Sequence, residues 1–249
     1  MRRDDRATWL RLHTAGRRLA SPAWLATQIG DAARNLTSVM SGKPFARAHR
    51  LVRAHTMVGV TRLAALYDAV SWVMANEIPG DLVECGVARG GSGAVMAIAA
   101  EEARANRTLW LFDTFEGLPN PSRADPDYEL ALRYAGKCRG ELEDVQGLFT
   151  HLGLDRRVRY TKGLFHDTLP RSPVGAIAVL HLDCDWHDSV KECLENLYDR
   201  VAPGGVIQFD DYGHWLGARK AVDEFRARRG ITEPLEYIDY AARQLRKPI

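Results

Sequence analysis

The sequence predicts an α/β fold, in which helices cover both faces of a mostly parallel sheet. From residue 81 onward, short apolar runs typical of strands alternate with helical segments, and this order indicates parallel βαβ units with right-handed crossovers. Two of the runs, at residues 177–185 and 204–212, end in paired aspartates. Open α/β sheets bind ligands at the carboxyl ends of their strands, so these acidic pairs mark the expected site. A chain of 249 residues can bury the core of such a domain.

Helices are predicted ahead of the sheet. In residues 5–54, tryptophans and leucines recur at helical spacing, and Ser21 followed by Pro22 resembles a helix start. Residues 41–44 (Ser-Gly-Lys-Pro) break this pattern, which we interpret as a mobile hinge. A further amphipathic helix is predicted within residues 58–75.

The remaining elements follow from changes in hydrophobic period and from turn residues. Residues 116–150 are too long for an ordinary connection and predict a functional insertion with helices at 129–134 and 142–152. Residues 234–247 predict one or two strands at an edge of the sheet. The main strands are predicted at 81–87, 108–115, 157–165, 177–185 and 204–212, and the other helices at 90–105, 187–201 and 217–229.

Composition and total charge are ordinary for a globular protein. The chain is 46% hydrophobic and 27% charged, with a formal net charge of +2, so neither nucleic acid nor a membrane is expected as a partner. Residues 1–53 hold a local balance of +8, without a nucleic-acid-binding motif. We interpret them as a solvated helical arm that docks on a partner subunit, and we expect a homo-oligomer, a dimer or higher.

The cysteines indicate a reduced, intracellular protein. Cys85, Cys138, Cys184 and Cys193 show no CxxC spacing and no zinc-finger pattern, and a small buried thiol is the interpretation favoured for two of them. No apolar run approaches the length of a membrane span, and the N-terminus lacks the apolar core of a signal peptide. A cytoplasmic location is expected.

A glycine-rich turn follows the first predicted strand. Residues 84–93 have the sequence ECGVARGGSG, in which glycines free backbone amides at the start of a helix. The spacing differs from the GxGxxG fingerprint of dinucleotide-binding proteins. The second strand ends in Asp113, where nucleotide-binding folds place an acid on ribose hydroxyls. Together these features favour a nucleoside-bearing cofactor, although sharp turns also need glycine for structural reasons alone.

The four aspartates of the acidic pairs indicate a hard metal ion. Asp183 and Asp185 alternate in an extended run and so face the same way, and Asp210 and Asp211 end the next strand. Clustered carboxylates repel one another unless a cation or proton is present, and oxygen ligands suit Mg²⁺, Mn²⁺ or Ca²⁺ better than zinc. The alternative is that two of the four aspartates cap helices.

Other polar and aromatic residues flank the acidic pairs. His181 alternates with Asp183 and is more typical of a buried histidine that supports a site than of a metal ligand. Candidate substrate contacts, for which surface placement is the alternative, are His55, Trp186, Tyr212, His214 and Trp215.

Several collinear blocks between residues 55 and 245 resemble the macrocin O-methyltransferase family (the TylF/MycF type). The matching blocks are HTMVG (55–59), IPGDLVECGVARGGS (78–92), LWLFDTFEGLP (109–119), GLFHDTLP (163–170), LHLDCDW (180–186) and PGGVIQFDDYG (203–213) with RKAVDEFRA (219–227). The resemblance implies a Rossmann-like class I methyltransferase fold with a seven-stranded sheet. It also implies S-adenosyl-L-methionine as methyl donor, Mg²⁺ (or Mn²⁺) as metal, and a sugar hydroxyl of a natural product as acceptor.

The resemblance also implies roles for individual residues. The metal ligands would be Asp183, Asp210 and Asp211, and Asp185 would be the general base, with Asp183 also counted as catalytic. Cofactor contacts are implied for Thr56, Met57, Glu84, Gly86, Arg89, Gly90, Ser92, Asp113, Phe115, Gly163, Phe165 and Asp167.

Two departures from the family pattern affect these roles. Ala88 replaces a tryptophan often found in the glycine-rich block, and the sequence Cys184-Asp185-Trp186 replaces a more usual Gly-Asp-Leu or Gly-Asp-Tyr. The first could widen the cofactor wall, and the second could reshape the substrate pocket.

Three rival functions are weighed against the sugar methyltransferase. A catechol-type enzyme with the same cofactor and metal is supported by Trp186 and Trp215 near the site. A nicotinamide-dependent oxidoreductase conflicts with the absent GxGxxG, and a non-catalytic scaffold would require a broken acidic site. The expected organisation is a helical arm or lid at 1–54 and a methyltransferase domain at 55–249, with an insertion at 118–150 near the substrate.

Overall fold

The computed structural model describes residue 22, residues 24–31 and residues 44–249. Residues 22 and 24–31 are helical, as predicted. The other helical positions predicted before residue 44, and the hinge predicted at 41–44 apart from Pro44, lie outside the described residues. The described helices from Pro44 onward are α1 (Pro44–Val52), α2 (Val60–Ala75), α3 (Gly91–Glu102), α4 (Tyr128–Ala131), α5 (Leu142–His151), α6 (Phe165–Thr168), α7 (His187–Leu197) and α8 (Leu216–Arg229).

Seven strands form one mixed sheet. They are β1 (Asp81–Cys85), β2 (Leu109–Asp113), β3 (Val158–Lys162), β4 (Ile177–Leu182), β5 (Val201–Phe209), β6 (Glu236–Tyr237) and β7 (Arg243–Arg246). Their order across the sheet is β3-β2-β1-β4-β5-β7-β6. The first five strands are parallel, and β7 runs antiparallel to both β5 and β6. The strand order reverses between β1 and β4, which is where an open sheet binds its ligand.

Strand register brings the ends of the central strands to one level. Cys85 pairs with both Phe112 and Leu182, and Leu182 pairs with Phe209. The residue after each of these positions therefore stands at the same edge: Gly86, Asp113, Asp183 and Asp210. Hydrogen bonds of 2.9 Å continue the ladders to this level, from Asp183 N–H to Cys85 O and from Asp210 N–H to Leu182 O.

Apolar side chains fill both faces of the sheet. On one face, residues of α1, α2, α3 and α5 pack with Leu82 and Val179, all buried. On the other face, residues of α7 and α8 pack with Val83 and Leu180. Neighbouring strand residues thus serve opposite layers, as the alternation of side chains along a strand requires. The parallel strands consequently have a near-continuous apolar sequence, interrupted where the site begins.

Several predicted boundaries were wrong because turns end the strands earlier. The strand predicted at 157–165 ends at Lys162, since Gly163 adopts φ +146° and Phe165 already begins a helix. The helix predicted at 187–201 ends at Leu197, and a 3-10 turn leads into β5, which begins at Val201 ahead of its predicted start. The insertion helices and the two closing strands were predicted correctly to within a few residues.

None of the helices in the described part of the chain is both long and apolar enough to cross a membrane.

Candidate active site

A cavity of about 640 Å³ opens over the carboxyl ends of the central strands. Its floor is formed by the strand-end residues Gly86, Asp113, Asp183 and Asp210, which strand register brings to one edge. This volume is in the range of pockets that hold small-molecule ligands. The topological switch point, the glycine-rich turn and the acidic pairs therefore share one cavity.

The glycine-rich turn approaches β4 so closely that a side chain at Gly86 cannot fit. Gly86 has φ +88°, and an added Cβ would overlap the carbonyl oxygen of Asp183. Gly90 adopts φ +83° and precedes α3, whose N-terminus has no side-chain cap. The Gly91 N–H at this helix start donates to His55 O at 3.0 Å, and residues 90–93 do not line the cavity.

Asp113 lines the cavity and fastens this turn to β2. Its Oδ2 accepts the Val87 N–H at 2.6 Å and the Ala88 N–H at 3.1 Å, while Oδ1 accepts the Phe115 N–H at 2.7 Å. Both oxygens are therefore engaged by backbone amides. Asp113, which is predicted to bind the ribose of the cofactor, therefore also fixes the shape of the neighbouring glycine-rich turn.

Four carboxylates converge on the opposite side of the cavity. Asp183, Asp185, Asp210 and Asp211 all line it, and Asp210 and Asp211 are buried. Burial first, and then the neighbouring carboxylates, raise the pKa of Asp183 well above its usual value. Burial and Asp210 raise the pKa of Asp211 to about 7. The cluster therefore binds protons tightly unless a cation compensates its charge.

Asp210 differs from the other three because it has cationic partners. The Arg62 guanidinium forms an ion pair with its Oδ2, and His181 Nε2 lies 3.5 Å from its Oδ1. Burial alone would raise the pKa of Asp210, but Arg62 and His181 outweigh it and lower that pKa.

The donors in this region fit a divalent cation. One ligand atom each from His181, Asp183 and Asp210 lies within 4.8 Å of the others. Asp183 brings oxygen donors whose like-charge repulsion a cation would relieve. Asp211, also predicted as a ligand, stands beside this group, and its Oδ2 accepts the Asp185 N–H at 3.2 Å.

Asp185 occupies an unusual backbone conformation above the cluster. Its φ is +57°. Two other non-glycine residues that line the cavity, Ala88 and Cys138, also have positive φ. Such conformations are costly and persist where the surrounding structure enforces them. Burial and the Asp211 charge raise the pKa of Asp185 well above its usual value, against a hydrogen bond from the Trp215 side chain that lowers it.

Glu84 and His181 form a buried layer beneath the cluster. His181 Nδ1 lies 2.9 Å from Glu84 Oε1, and neither side chain is exposed. Burial lowers the pKa of His181, but hydrogen bonds to Asp210 and Glu84 outweigh it and raise that pKa well above its usual value. Glu84 Oε2 has no hydrogen-bond partner, and a Cβ added to Gly93 would lie 2.6 Å from it. His181 thus supports Asp210 from below.

The structure brings eleven of the predicted site residues to the cavity and leaves the rest beside it. Those lining the cavity are Met57, Gly86, Asp113, Gly163, Phe165, Asp183, Asp185, Asp210, Asp211, His214 and Trp215. The side chains outside the lining are His55, Thr56, Glu84, Arg89, Gly90, Ser92, Phe115, Asp167, Trp186 and Tyr212.

The displaced residues have identifiable places. Phe115 and Trp186 are buried in the hydrophobic core, and Trp186 donates its Nε1–H to Pro119 O at 2.8 Å. Asp167 is exposed beside His166, and the Tyr212 hydroxyl bonds to Asp223 at 2.8 Å. Glu84 lies below the floor.

Residues of the insertion that the sequence did not single out form one wall of the cavity. Leu118, Pro119, Asn120, Tyr134 and Cys138 face the interior, and all of them fall between β2 and α5. The length and proline content of residues 116–150 indicated a functional insertion but gave no individual residues. Arg62 and Tyr240 were also missed, because an arginine in an amphipathic helix and a tyrosine near a sheet edge have no distinctive spacing.

This wall is fastened to the helices around the site. Asp125, 2% exposed, accepts the His187 N–H at 2.8 Å and so caps α7. Asp127 accepts the Leu216 N–H at 3.2 Å at the start of α8. Both helices leave the carboxyl edge of the sheet, so the insertion and the loop containing Asp185 are held as one unit.

These features define a class I methyltransferase fold, in agreement with the prediction. The solved structure of the O-methyltransferase NovP is similar, with a TM-score of 0.73 and 36% sequence identity over 78% of this chain and 83% of that one. The model of the macrocin-O-methyltransferase (TylF) family matches residues 35–247. The chain belongs to this family and is an O-methyltransferase.

Curated relatives extend the comparison. The chain is 42% identical over 214 residues to 8-demethyl-8-(2,3-dimethoxy-alpha-L-rhamnosyl)-tetracenomycin-C 4'-O-methyltransferase of Streptomyces olivaceus, covering 82% of this chain and 81% of the relative. It is 38% identical over 192 residues to demethyldecarbamoylnovobiocin O-methyltransferase of Streptomyces niveus, covering 75% and 73%. Both relatives match over most of their length and over most of this chain.

Proposed function

We propose that the chain transfers a methyl group from S-adenosylmethionine to a hydroxyl of a sugar moiety in a natural product, assisted by Mg²⁺ or Mn²⁺. One observation supports this most strongly. The glycine-rich turn with Asp113 and the four-aspartate cluster face the same 640 Å³ cavity. Methyl donor and metal-bound acceptor can therefore meet in one volume. The names of the relatives, one of which acts on a rhamnosyl group, supply the acceptor class.

The cofactor would lie on the β1–β2 side of the cavity. Met57, Gly86, Asp113, Gly163 and Phe165 line that part.

The metal would lie on the β4–β5 side. Asp183 and Asp210 are the ligands best supported by geometry, with His181 or Asp211 completing the set. A divalent cation held there would supply Lewis acidity that lowers the pKa of an acceptor hydroxyl and fixes its direction.

Asp185 is the group proposed to accept the hydroxyl proton. It lines the cavity above the cluster, where its carboxylate can accept the proton of a bound hydroxyl. The Asp185 carboxylate accepts a hydrogen bond from the Trp215 side chain, which helps to orient it as a positioned base requires.

A catechol-type acceptor is the second candidate. Trp215 and Tyr134 line the cavity, but they are only 4% and 5% exposed and pack on each other, so they present little aromatic surface to a flat ring. Trp186, the other tryptophan that favoured this function, is 2% exposed and lies outside the lining, which removes part of its support.

The two candidates are separated by a direct assay. The purified chain is incubated with S-adenosylmethionine and Mg²⁺, and with either rhamnosylated natural products or small catechols. We expect mass spectrometry to detect a methylated sugar on the glycosides, and chelation of the metal to abolish the product. Methylation of catechols alone would refute the sugar assignment, and undiminished turnover in chelator would refute the metal.

The organisation of the whole molecule is part of the proposal. Residues 1–54 would act as an arm or lid, and residues 55–249 as the methyltransferase domain with its insertion at 118–150. We propose a cytoplasmic homo-oligomer that acts on small molecules. Light scattering of the full chain tests the oligomer, since a monomer at micromolar concentration would contradict it.

A further inference from the structure

Arg62 brings a permanent positive charge to the acidic cluster. It is the third residue of α2, its side chain is 13% exposed, and it lines the cavity. The guanidinium forms an ion pair with Asp210, and its Nε lies 3.3 Å from Asp239 Oδ2. Burial lowers the pKa of Arg62, but the two carboxylates outweigh it and raise that pKa above its usual value, so the group stays charged.

Few other cations are available to this cluster. Among the described lining residues, the other lysine or arginine is Lys191, which is 42% exposed and lies 3.6 Å from Glu195. The other basic partner of the cluster is His181, whose Nε2 lies 3.5 Å from Asp210 Oδ1.

The guanidinium contacts the same carboxylate that would bind a metal. Asp210 Oδ2 pairs with Arg62, Asp210 Oδ1 lies 3.5 Å from His181 Nε2, and one Asp210 oxygen lies within 4.8 Å of ligand atoms of Asp183 and His181. A single carboxylate group would therefore separate a divalent cation in the space between these ligand atoms from the fixed positive charge of Arg62. Like charges at such a separation in a buried site repel strongly.

We infer that Arg62 is a built-in counter-cation that holds Asp210 and Asp239 in place without metal and keeps the metal affinity of the site low. The inference rests on the proposed metal-assisted function and adds a determinant of metal binding outside the ligand set. A site of this kind remains assembled between turnovers and exchanges its cation readily. Arg62 is a positioning residue, because it acts through Asp210.

Asp239 gives the inference a second, opposite test. It is 3% exposed, its Oδ1 accepts the backbone amides of Ala241 and Ala242 at 2.8 Å, and it shares Arg62 with Asp210. Neutralising Asp239 leaves Arg62 more strongly positive toward the metal space. Neutralising Arg62 removes that positive charge. The two substitutions break the same ion pair but should move metal affinity in opposite directions.

The experiment is Mn²⁺ titration by calorimetry on the full chain, without cofactor or acceptor. We expect Arg62→Gln to tighten the Mn²⁺ dissociation constant by about tenfold or more, Asp239→Asn to weaken it by about threefold or more, and the charge-conserving Arg62→Lys to stay within about threefold of wild type. In chelator, Arg62→Gln should melt at a lower temperature than wild type, and saturating Mn²⁺ should narrow that difference.

Three outcomes decide the matter. If wild type binds Mn²⁺ and folded Arg62→Gln binds it equally well or more weakly, the role of Arg62 is overturned. The proposed function is left standing. Failure of both wild type and Arg62→Gln to bind Mn²⁺ overturns the metal assignment as well. If Arg62→Gln does not fold, Asp239→Asn decides, and affinity equal to or tighter than wild type overturns the inference.

Discussion

The two halves of the cavity satisfy their polar groups in different ways. On the β1–β2 side, Asp113 accepts three backbone amides, and the turn it holds is complete within the chain. On the β4–β5 side, Asp210 is paired with Arg62, and the other three carboxylates have raised pKa values. The cofactor half is therefore preorganised, whereas the metal half needs protons or a cation. The comparison predicts that substitutions in the first half affect folding and cofactor binding, and that those in the second affect chemistry and pH response.

The largest effect is expected for Asp185→Asn. The amide retains the shape of the side chain but cannot accept the hydroxyl proton, so kcat should fall by roughly 10²- to 10⁴-fold. Because Asp185 belongs to the metal half, the dissociation constant of S-adenosylhomocysteine should stay near wild type in calorimetry. Steady-state turnover above a tenth of wild type would show that Asp185 is not the base.

Asp113→Asn tests the preorganised half. An asparagine has one acceptor oxygen in place of two, so at least one backbone amide loses its partner, at a cost of about 1–3 kcal/mol. For a chain of this size each kcal/mol corresponds to about 2–4 °C in melting temperature. S-adenosylhomocysteine should also bind more weakly. The matched control is Asp155→Asn, an exposed aspartate beside β3, and equal losses in both variants would remove the special role of Asp113.

The metal half should give the chain a stability that falls as pH rises in chelator. A carboxyl whose folded pKa lies above its unfolded value contributes stability that is complete below the unfolded pKa and lost as pH rises through the folded one. For Asp211 this window runs from about 4 to about 7, with a slope of up to about 1.4 kcal/mol per pH unit. Melting curves of Asp211→Asn should lose part of this slope. An unchanged slope would contradict the shifted pKa.

Trp186→Phe should give the smallest effect. The substitution deletes the Nε1–H bond to Pro119 O but keeps an aromatic ring in the core, so we expect a loss of about 1 kcal/mol. Because Pro119 belongs to the acceptor wall, KM for the acceptor should rise while affinity for S-adenosylhomocysteine stays constant. Weaker binding of S-adenosylhomocysteine in this variant would instead show that the wall containing Pro119 and the cofactor half of the cavity are not independent.

The sequence predicted the sheet because its strands are nearly continuous apolar runs that end in polar residues. The runs ending at Cys85, Leu182 and Phe209 determine their own register once they pair, and that register gathers Gly86, Asp183 and Asp210. Local patterns were therefore sufficient to predict both the sheet and the central acidic site.

The parts that were missed depend on contacts between segments distant in the chain. Arg62 lies 148 residues from Asp210, and no spacing connects an arginine in α2 with the end of β5. Phe115 and Trp186 belong to matching blocks, yet their side chains are buried in the core. A motif locates a residue along the chain but does not specify the direction of its side chain.

The capping role of the insertion has a consequence for protein engineering. Exchange of residues 116–140 between related enzymes is an obvious route to new acceptors, since this segment forms a wall of the cavity. Asp125 meets Gly217 so closely that a Cβ there would overlap its carboxylate, and it also caps α7. A transplanted loop would therefore need an aspartate at this position and a glycine at 217 opposite it, and it would also need the Asp127 cap on α8 and a glycine at 140, where a Cβ would overlap Ala88 O.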